Sequence, residues 1–263
     1  MTRQLVVTRR GSVEILTLTR AGSDNRITQQ MAEEMVEAIE KARHDRSVSG
    51  CVLTGHGDVF CLGGDYRGAG AGTAGRMEFG RGHINVFNAM ARLGKPLVAA
   101  VNGNAHAGGF SLVVACDLAF MAEDATLGLP EAAHGLFPFL ALALAREAIP
   151  KKLLFEIIYD ARLISSAEAL ALHLVNAVVR REDVLQAAIG AVERAAQGNP
   201  DVLMLGRDLF YGMRGLSPEQ ARSGALRARL RAGGRGRAAA ELNVGSDRHC
   251  RLLSRYRANA HDV

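Results

Sequence analysis

Glu131 ends a stretch, Pro96 to Glu131 (PLVAAVNGNAHAGGFSLVVACDLAFMAEDATLGLPE), in which it is the one well-placed acid in largely apolar company. A carboxylate in such surroundings is a candidate general base, because loss of water raises its affinity for a proton. Within the same stretch Ala107-Gly108-Gly109 precedes the run Phe110 to Ala115. Glycines just ahead of a helix leave its first N–H groups open to an acceptor, so an oxyanion could sit there. Gly63-Gly64 in GHGDVFCLGGD repeats the arrangement, again after a strand-like run. Proton abstraction beside a stabilised oxyanion is the chemistry these residues suit.

Other reactive side chains lie close by in sequence. His106 and His134 flank the two key segments and could supply a second acid or base, although a lone loop histidine is more often a hydrogen-bonded bystander. Neither has the His or Cys spacing of a metal site. Ser111 as a nucleophile would want a GxSxG elbow, and Gly109-Phe-Ser111-Leu-Val113 lacks the second glycine. Asp65 reads as a brace for its own loop. Gly70-Ala-Gly72-Thr-Ala-Gly75 matches GxGxxG in form, but no strand leads into it and no strong helix follows, which argues against dinucleotide binding.

The elements that must hold these residues alternate strand and helix. Leu5 to Thr8 and Val13 to Thr19 read as a hairpin, and Met31, Met35, Ile39 and Ala42 recur on one face of a helix from about Thr28 to Arg43. Cys51 to Thr54 and Leu97 to Val101 are continuous apolar runs bounded by turn residues, as buried strands are. Leu118 to Met121 resumes a strand, and a loop then reaches Glu131. Gly68 to Gly82 is glycine-rich and poor in apolar residues, so it is expected to be mobile or loosely ordered, ahead of a helix near His83 to Arg92. Beyond Glu131 come helices at Leu140 to Ala148 and Lys151 to Tyr159, then a capping box at Ser165 to Glu168 and a short strand at Ala177 to Val179. Val184 to Ala196, Val202 to Met213 and Pro218 to Leu230 read as helices. The expected division is a core over 1–198 and a C-terminal helical region over 199–263 that packs on the core or on a neighbouring subunit.

With 263 residues and 48% apolar composition the chain can bury a large core. No apolar run approaches the ~20 residues of a membrane span and no signal peptide opens the sequence, so no membrane partner and a cytoplasmic location are expected. The four cysteines show no CxxC or disulfide-framework spacing and read as core or bystander thiols. A net charge of +5 favours an anionic partner, either a phosphate-bearing ligand or nucleic acid. The Arg-rich stretch Arg227 to Arg237 is by default a solvated face; its functional readings are contact with a ligand phosphate from a neighbouring subunit, or nucleic-acid binding.

In the order GHGDVFCLGGD, KPLVAAVNGNAHAGG, ACDLAFMAEDATLGLPE and RLISSAEALALHLVNAVV, the chain resembles the enoyl-CoA hydratase/isomerase, or crotonase, family from about Val13 to Val179. The resemblance implies an α/β fold, a crotonase-like spiral of ββα units with a C-terminal helical region, assembled as a homotrimer or hexamer. It implies an acyl-CoA substrate and neither metal nor redox cofactor, coenzyme A entering only as part of the thioester. The thioester oxygen would be held by the backbone N–H groups of Gly64 and Gly108. Hydratases of the family generally carry two glutamates, and the first of those positions is Ser111 here; the second is Glu131. A single base that takes a proton and returns it suits double-bond isomerisation, which is therefore the favoured activity. Hydration, and decarboxylation or hydrolysis of an acyl-CoA, stay open. From a different class, a basic nucleic-acid-binding module that has lost its chemistry is the remaining reading, and nucleic acid is the less favoured partner.

Overall fold

The computed structural model describes residues 3–20, 22, 24–66 and 72–235. Two sheets form in step. The larger begins with the hairpin β1 (Leu5–Arg10) and β2 (Val13–Leu18) and continues through β3 (Gly50–Gly55), β5 (Leu97–Val101), β7 (Leu118–Ala122) and β10 (Ala177–Val179), all parallel after the hairpin. The smaller is β4 (Val59–Cys61), β6 (Asn104–His106), β8 (Thr126–Gly128) and β9 (Leu163–Ser165), parallel until the last pair. Each turn of chain adds one strand to each sheet, which is the ββα spiral that the resemblance implies.

Every residue of β3 and β5 is buried, as expected of parallel strands covered on both faces. The helix α1 (Gln29–His44) is capped by Thr28, whose side chain accepts from the Met31 N–H at 3.1 Å, and it buries Met31, Met35, Ile39 and Ala42. The stretch expected to be loose is instead helical from Gly72: α2 runs Gly72–Arg92, and residues 68–71 lie outside the described ones. Its glycines are tolerated because Phe79, Val86, Ala89 and Met90 give it a buried face. The short helix α3 (Gly108–Ala115) follows, and Glu131 sits in a 3₁₀ turn, Pro130–His134, rather than an open loop.

The remaining helices of this unit are α4 (Phe139–Ala145), α5 (Lys151–Tyr159), α6 (Ser166–Ala171), α7 (Val184–Ala195) and α8 (Pro200–Gly212). At α6 only half the capping box forms. The Ser165 hydroxyl accepts from the Glu168 N–H at 3.2 Å, but the Glu168 carboxylate turns to Arg162 at 2.7 Å.

The compact unit extends through Gly215, whereas the sequence reading divides the chain after Gly198. What fastens α8 to the sheet is Asp117, which accepts from the Arg207 Nε at 2.8 Å, from the Tyr211 hydroxyl at 2.8 Å and from the Leu97 N–H at 2.9 Å. Residues from Leu216 onward form a separate unit, whose described part includes α9 (Pro218–Arg235). Of the Arg-rich stretch Arg227 to Arg237, only residues 236 and 237 lie outside the described ones, as does Cys250. Among the described residues no helix is long and apolar enough to cross a membrane.

Candidate active site

The two glycine turns lie backbone against backbone. A Cβ placed on Gly108 would stand 3.4 Å from the Gly64 nitrogen, and one on Gly63 would stand 3.4 Å from the Gly108 nitrogen. A side chain at either position would press on the facing backbone. Gly63 adopts φ +106°, a conformation that favours glycine. The Ile27 N–H donates to the Gly63 carbonyl and the Asp65 N–H to the Ile27 carbonyl, both at 2.8 Å, so the Gly64 N–H between them stays out of that ladder. Gly108 is the first residue of α3, and its N–H has no partner within the helix. Two adjacent donors of this kind can accept one oxyanion between them.

Ala107 holds the second turn in place at φ 52°, ψ −116°, a strained conformation for a residue with a side chain. Its N–H donates to the Gly128 carbonyl at 2.9 Å and its carbonyl accepts from the Ser111 N–H at 3.1 Å. Those bonds fasten the turn to β8, three residues before Glu131. The first turn is braced from the other side by the segment around Asn25. The Asn25 amide donates to the His56 and Val59 carbonyls at 2.9 and 2.7 Å, and Arg26 donates to the Leu62 carbonyl at 2.7 Å. Asp65 is buried and paired with Arg20 at 2.7 Å, which is the bracing role its position suggested.

Glu131 is partly buried, and its Oε2 is buried without a hydrogen-bond partner among the described residues. Burial pushes its carboxyl above the ordinary 4.5; a hydrogen bond from its own backbone and the charge of His134 oppose the shift. A carboxylate raised in this way gives up and regains a proton more readily near neutral pH. Tyr66 stands near enough that the Glu131 charge, after partial burial, raises its phenol.

The other residues singled out by sequence are placed less evenly. Ser111 is buried on α3 and its hydroxyl donates to the Ala107 carbonyl at 3.2 Å, so the proton of that hydroxyl is already engaged. His106, expected in a loop, ends β6. There its ring bonds at 2.8 Å to the Thr126 hydroxyl, which itself donates to Asn104, so Nε2 is the donor. Its imidazole is pushed down by burial and then by Arg26. His134 is exposed at the end of the 3₁₀ turn. Cys51 and Cys61 are buried thiols pushed up to about 12, chiefly by burial, and Cys116 is raised for the same reason.

One residue escaped the sequence reading. His83, on α2, is 5% exposed, and its Nδ1 lies 2.9 Å from the Phe79 carbonyl. That carbonyl can only accept, so Nδ1 carries the proton and Nε2 bears a lone pair, which is buried and unpartnered among the described residues. Nε2 stands 3.3 Å from where a Cβ of Gly64 would be. The only trace in the sequence is the i, i+4 spacing of Phe79 and His83.

The enoyl-CoA hydratase/isomerase family profile matches residues 8–226. The chain is 30% identical over 233 residues to a carnitinyl-CoA dehydratase of Proteus mirabilis, covering 86% of this chain and 89% of that protein. Among solved structures it resembles an enoyl-CoA hydratase of Mycobacterium smegmatis, with TM-score 0.83, 27% identity, and coverage of 87% and 90% of the two chains. An enoyl-CoA hydratase of Bacillus anthracis matches with TM-score 0.80, 26% identity, and coverage of 86% and 90%. Spiral sheets, paired glycine turns and a profile match spanning most of the chain agree: the chain belongs to the enoyl-CoA hydratase/isomerase family of enzymes.

Proposed function

We propose that this enzyme moves a double bond within an enoyl-CoA by way of a thioester enolate. The Gly64 and Gly108 N–H groups hold the thioester oxygen. Glu131 takes a proton from the acyl chain; the C–H electron pair moves into the enolate, and the same carboxyl returns the proton two carbons further along. The observation that carries this reading is the contrast between Glu131, whose buried Oε2 has no partner among the described residues, and Ser111, whose hydroxyl proton is given to Ala107. Isomerisation needs one group that takes and returns a proton, and Glu131 can do both.

Hydration is the second reading, favoured by the similarity to a protein named carnitinyl-CoA dehydratase. Incubation of a trans-3-enoyl-CoA in ¹⁸O-labelled water with mass detection separates the two. A product of unchanged mass with a shifted double bond is expected, and label uptake as fast as isomerisation would overturn the preference. Loss of CO₂ or release of free coenzyme A from other acyl-CoAs would reveal the decarboxylase or hydrolase chemistry of the same scaffold.

Ser111→Glu should place a second carboxylate beside Glu131 and raise hydration relative to isomerisation by about tenfold or more, in line with a positioned general acid or base. Repulsion between the two carboxylates would push one pKa up and move the pH optimum upward. A variant with no rise in the hydration ratio at any pH would show that position 111 does not face the reacting carbons.

A further inference from the structure

We propose that Arg181 is a positioning residue for the reaction: its one guanidinium sets the offset between the three strands that deliver Gly64, Gly108 and Glu131, and with it the placing of the oxyanion donors relative to each other and to the base. The inference rests on the reading of those three residues as the reacting centre and adds what aligns them. Arg181 opens the 3₁₀ turn Arg181–Asp183 just after β10. Val179 faces Ala122 in the β7–β10 register, so Arg181 comes out beside Asp124. Its Nη1 donates to the Asn102 carbonyl at 2.8 Å and to the Asp58 carbonyl at 3.0 Å, and its Nη2 donates to the Asp124 carboxylate at 2.6 Å. A guanidinium is planar and rigid, so three acceptors bound to one such group are held at fixed relative positions.

Those acceptors lie just ahead of β4, β6 and β8. The three strands are parallel, so their starts share one end of the smaller sheet and their far ends share the other. Gly64 follows Asp58 by six residues, Gly108 follows Asn102 by six, and Glu131 follows Asp124 by seven. Arg181 thus acts through the strands rather than by contact, from roughly 20 Å away at the ordinary rise per residue. The sheet between has little register of its own. β4 meets β6 in two residue pairs with an irregularity between Val59 and Cys61, and β6 meets β8 in two. So short a ladder supplies few bonds against the slide of one strand along its neighbour. Asn102 ties the first turn to the second, donating to the Gly57 carbonyl at 2.7 Å and accepting from the Gly55 N–H at 2.9 Å. Asn104 ties β6 to β8, accepting from the Thr126 N–H at 2.9 Å. Arg181 is bonded to all three turns. Its ion pairs are with exposed carboxylates, Asp58 at 91% and Asp124 at 55%, and pairs of that kind add little to stability. With the asparagines in place the chain should therefore fold without the guanidinium.

Arg181→Met, which keeps the stem of the side chain and removes the guanidinium, should lower kcat on an enoyl-CoA about 3- to 30-fold and leave KM within about twofold, measured well below the melting temperature of the variant. Infrared difference spectra of bound butyryl-CoA, labelled with ¹³C at the thioester carbonyl, read the two donors directly. Hydrogen bonds from Gly64 and Gly108 lower the stretching frequency of that carbonyl, and the downshift should shrink in Arg181→Met. Asp124→Ala frees only the turn that leads to Glu131, so kcat should fall while the downshift stays. An unchanged kcat in either variant, or an unchanged downshift in Arg181→Met, overturns the proposal. So does a downshift lost equally in both variants, because Asp124 does not hold the glycine turns. A loss of rate that vanishes on cooling would assign Arg181 to stability alone and overturn it as well. A parent with no downshift at all would instead remove the oxyanion reading of the two glycines, and the alignment proposal with it, so the parent spectrum tells the two failures apart.

Discussion

Glu131→Gln should lower turnover of an enoyl-CoA by about 10²- to 10⁴-fold, the contribution of a positioned general base, while leaving acyl-CoA binding within about threefold. Glutamine keeps the shape of the side chain and removes its charge and its capacity to take up a proton. The variant should also melt at a higher temperature than the parent at pH 7. Burial raises the Glu131 pKa above the ordinary 4.5, so the folded chain holds this proton more tightly than the unfolded one. Its contribution to stability is therefore fullest below about 4.5 and is lost as pH rises through the raised value. The stability difference between the two proteins should accordingly open over that window and stay constant above it. The parent's rate should fall as pH drops through the same pKa, while the residual rate of the variant should not. Full activity of Glu131→Gln across a panel of enoyl-CoAs would remove the base from the mechanism.

A large effect on folding should come from Gly109→Ala. Its Cβ would stand 2.0 Å from the Cys61 carbonyl oxygen and 2.8 Å from the carbonyl carbon, and backbone in a buried strand cannot yield by the ångström or more required. The first turn of α3 would have to lift off β4. Overpacking of this severity should cost roughly 3 kcal/mol or more, equivalent to a fall of about 6–12 °C in melting temperature for a chain of this size. Gly108→Ala is the informative control. Its Cβ would meet Gly63 and the Gly64 nitrogen at 3.3–3.4 Å, so the chain should fold and lose activity out of proportion to stability. Chemical unfolding of both variants beside the parent decides the matter, and a Gly109→Ala protein within about 0.5 kcal/mol of the parent would refute the seating of α3 on β4.

The larger sheet was legible in the sequence because its strands are long apolar runs between turn residues, as at Leu97–Val101, and α1 was legible because Met31, Met35 and Ile39 repeat at helical spacing. The smaller sheet was not. Val59–Cys61, Asn104–His106 and Thr126–Gly128 are three-residue strands, too short for any period to show, and they exist because neighbouring turns of the spiral supply partners. The same cause hid α2, whose glycine-rich start looks loose until Phe79, Val86 and Met90 are given a core to cover. Glu131 and the glycine turns could be read from type and order alone. His83 could not, because what makes it notable is a lone pair without a partner, and that is a property of packing.

Both sheets add their strands in the order of the chain, β1-β2-β3-β5-β7-β10 and β4-β6-β8-β9. During synthesis each strand after the first of its sheet therefore finds one partner already made. The longest interval is at the edge left by Leu118–Ala122, which stays open until Ala177–Val179 arrives. At ~5–20 residues per second that interval lasts on the order of 3–10 seconds, during which a flat apolar strand is free to pair with another chain. A nascent enzyme of this topology is most in need of a chaperone midway through its translation, when the site residues are already made but the sheet that carries them is unfinished.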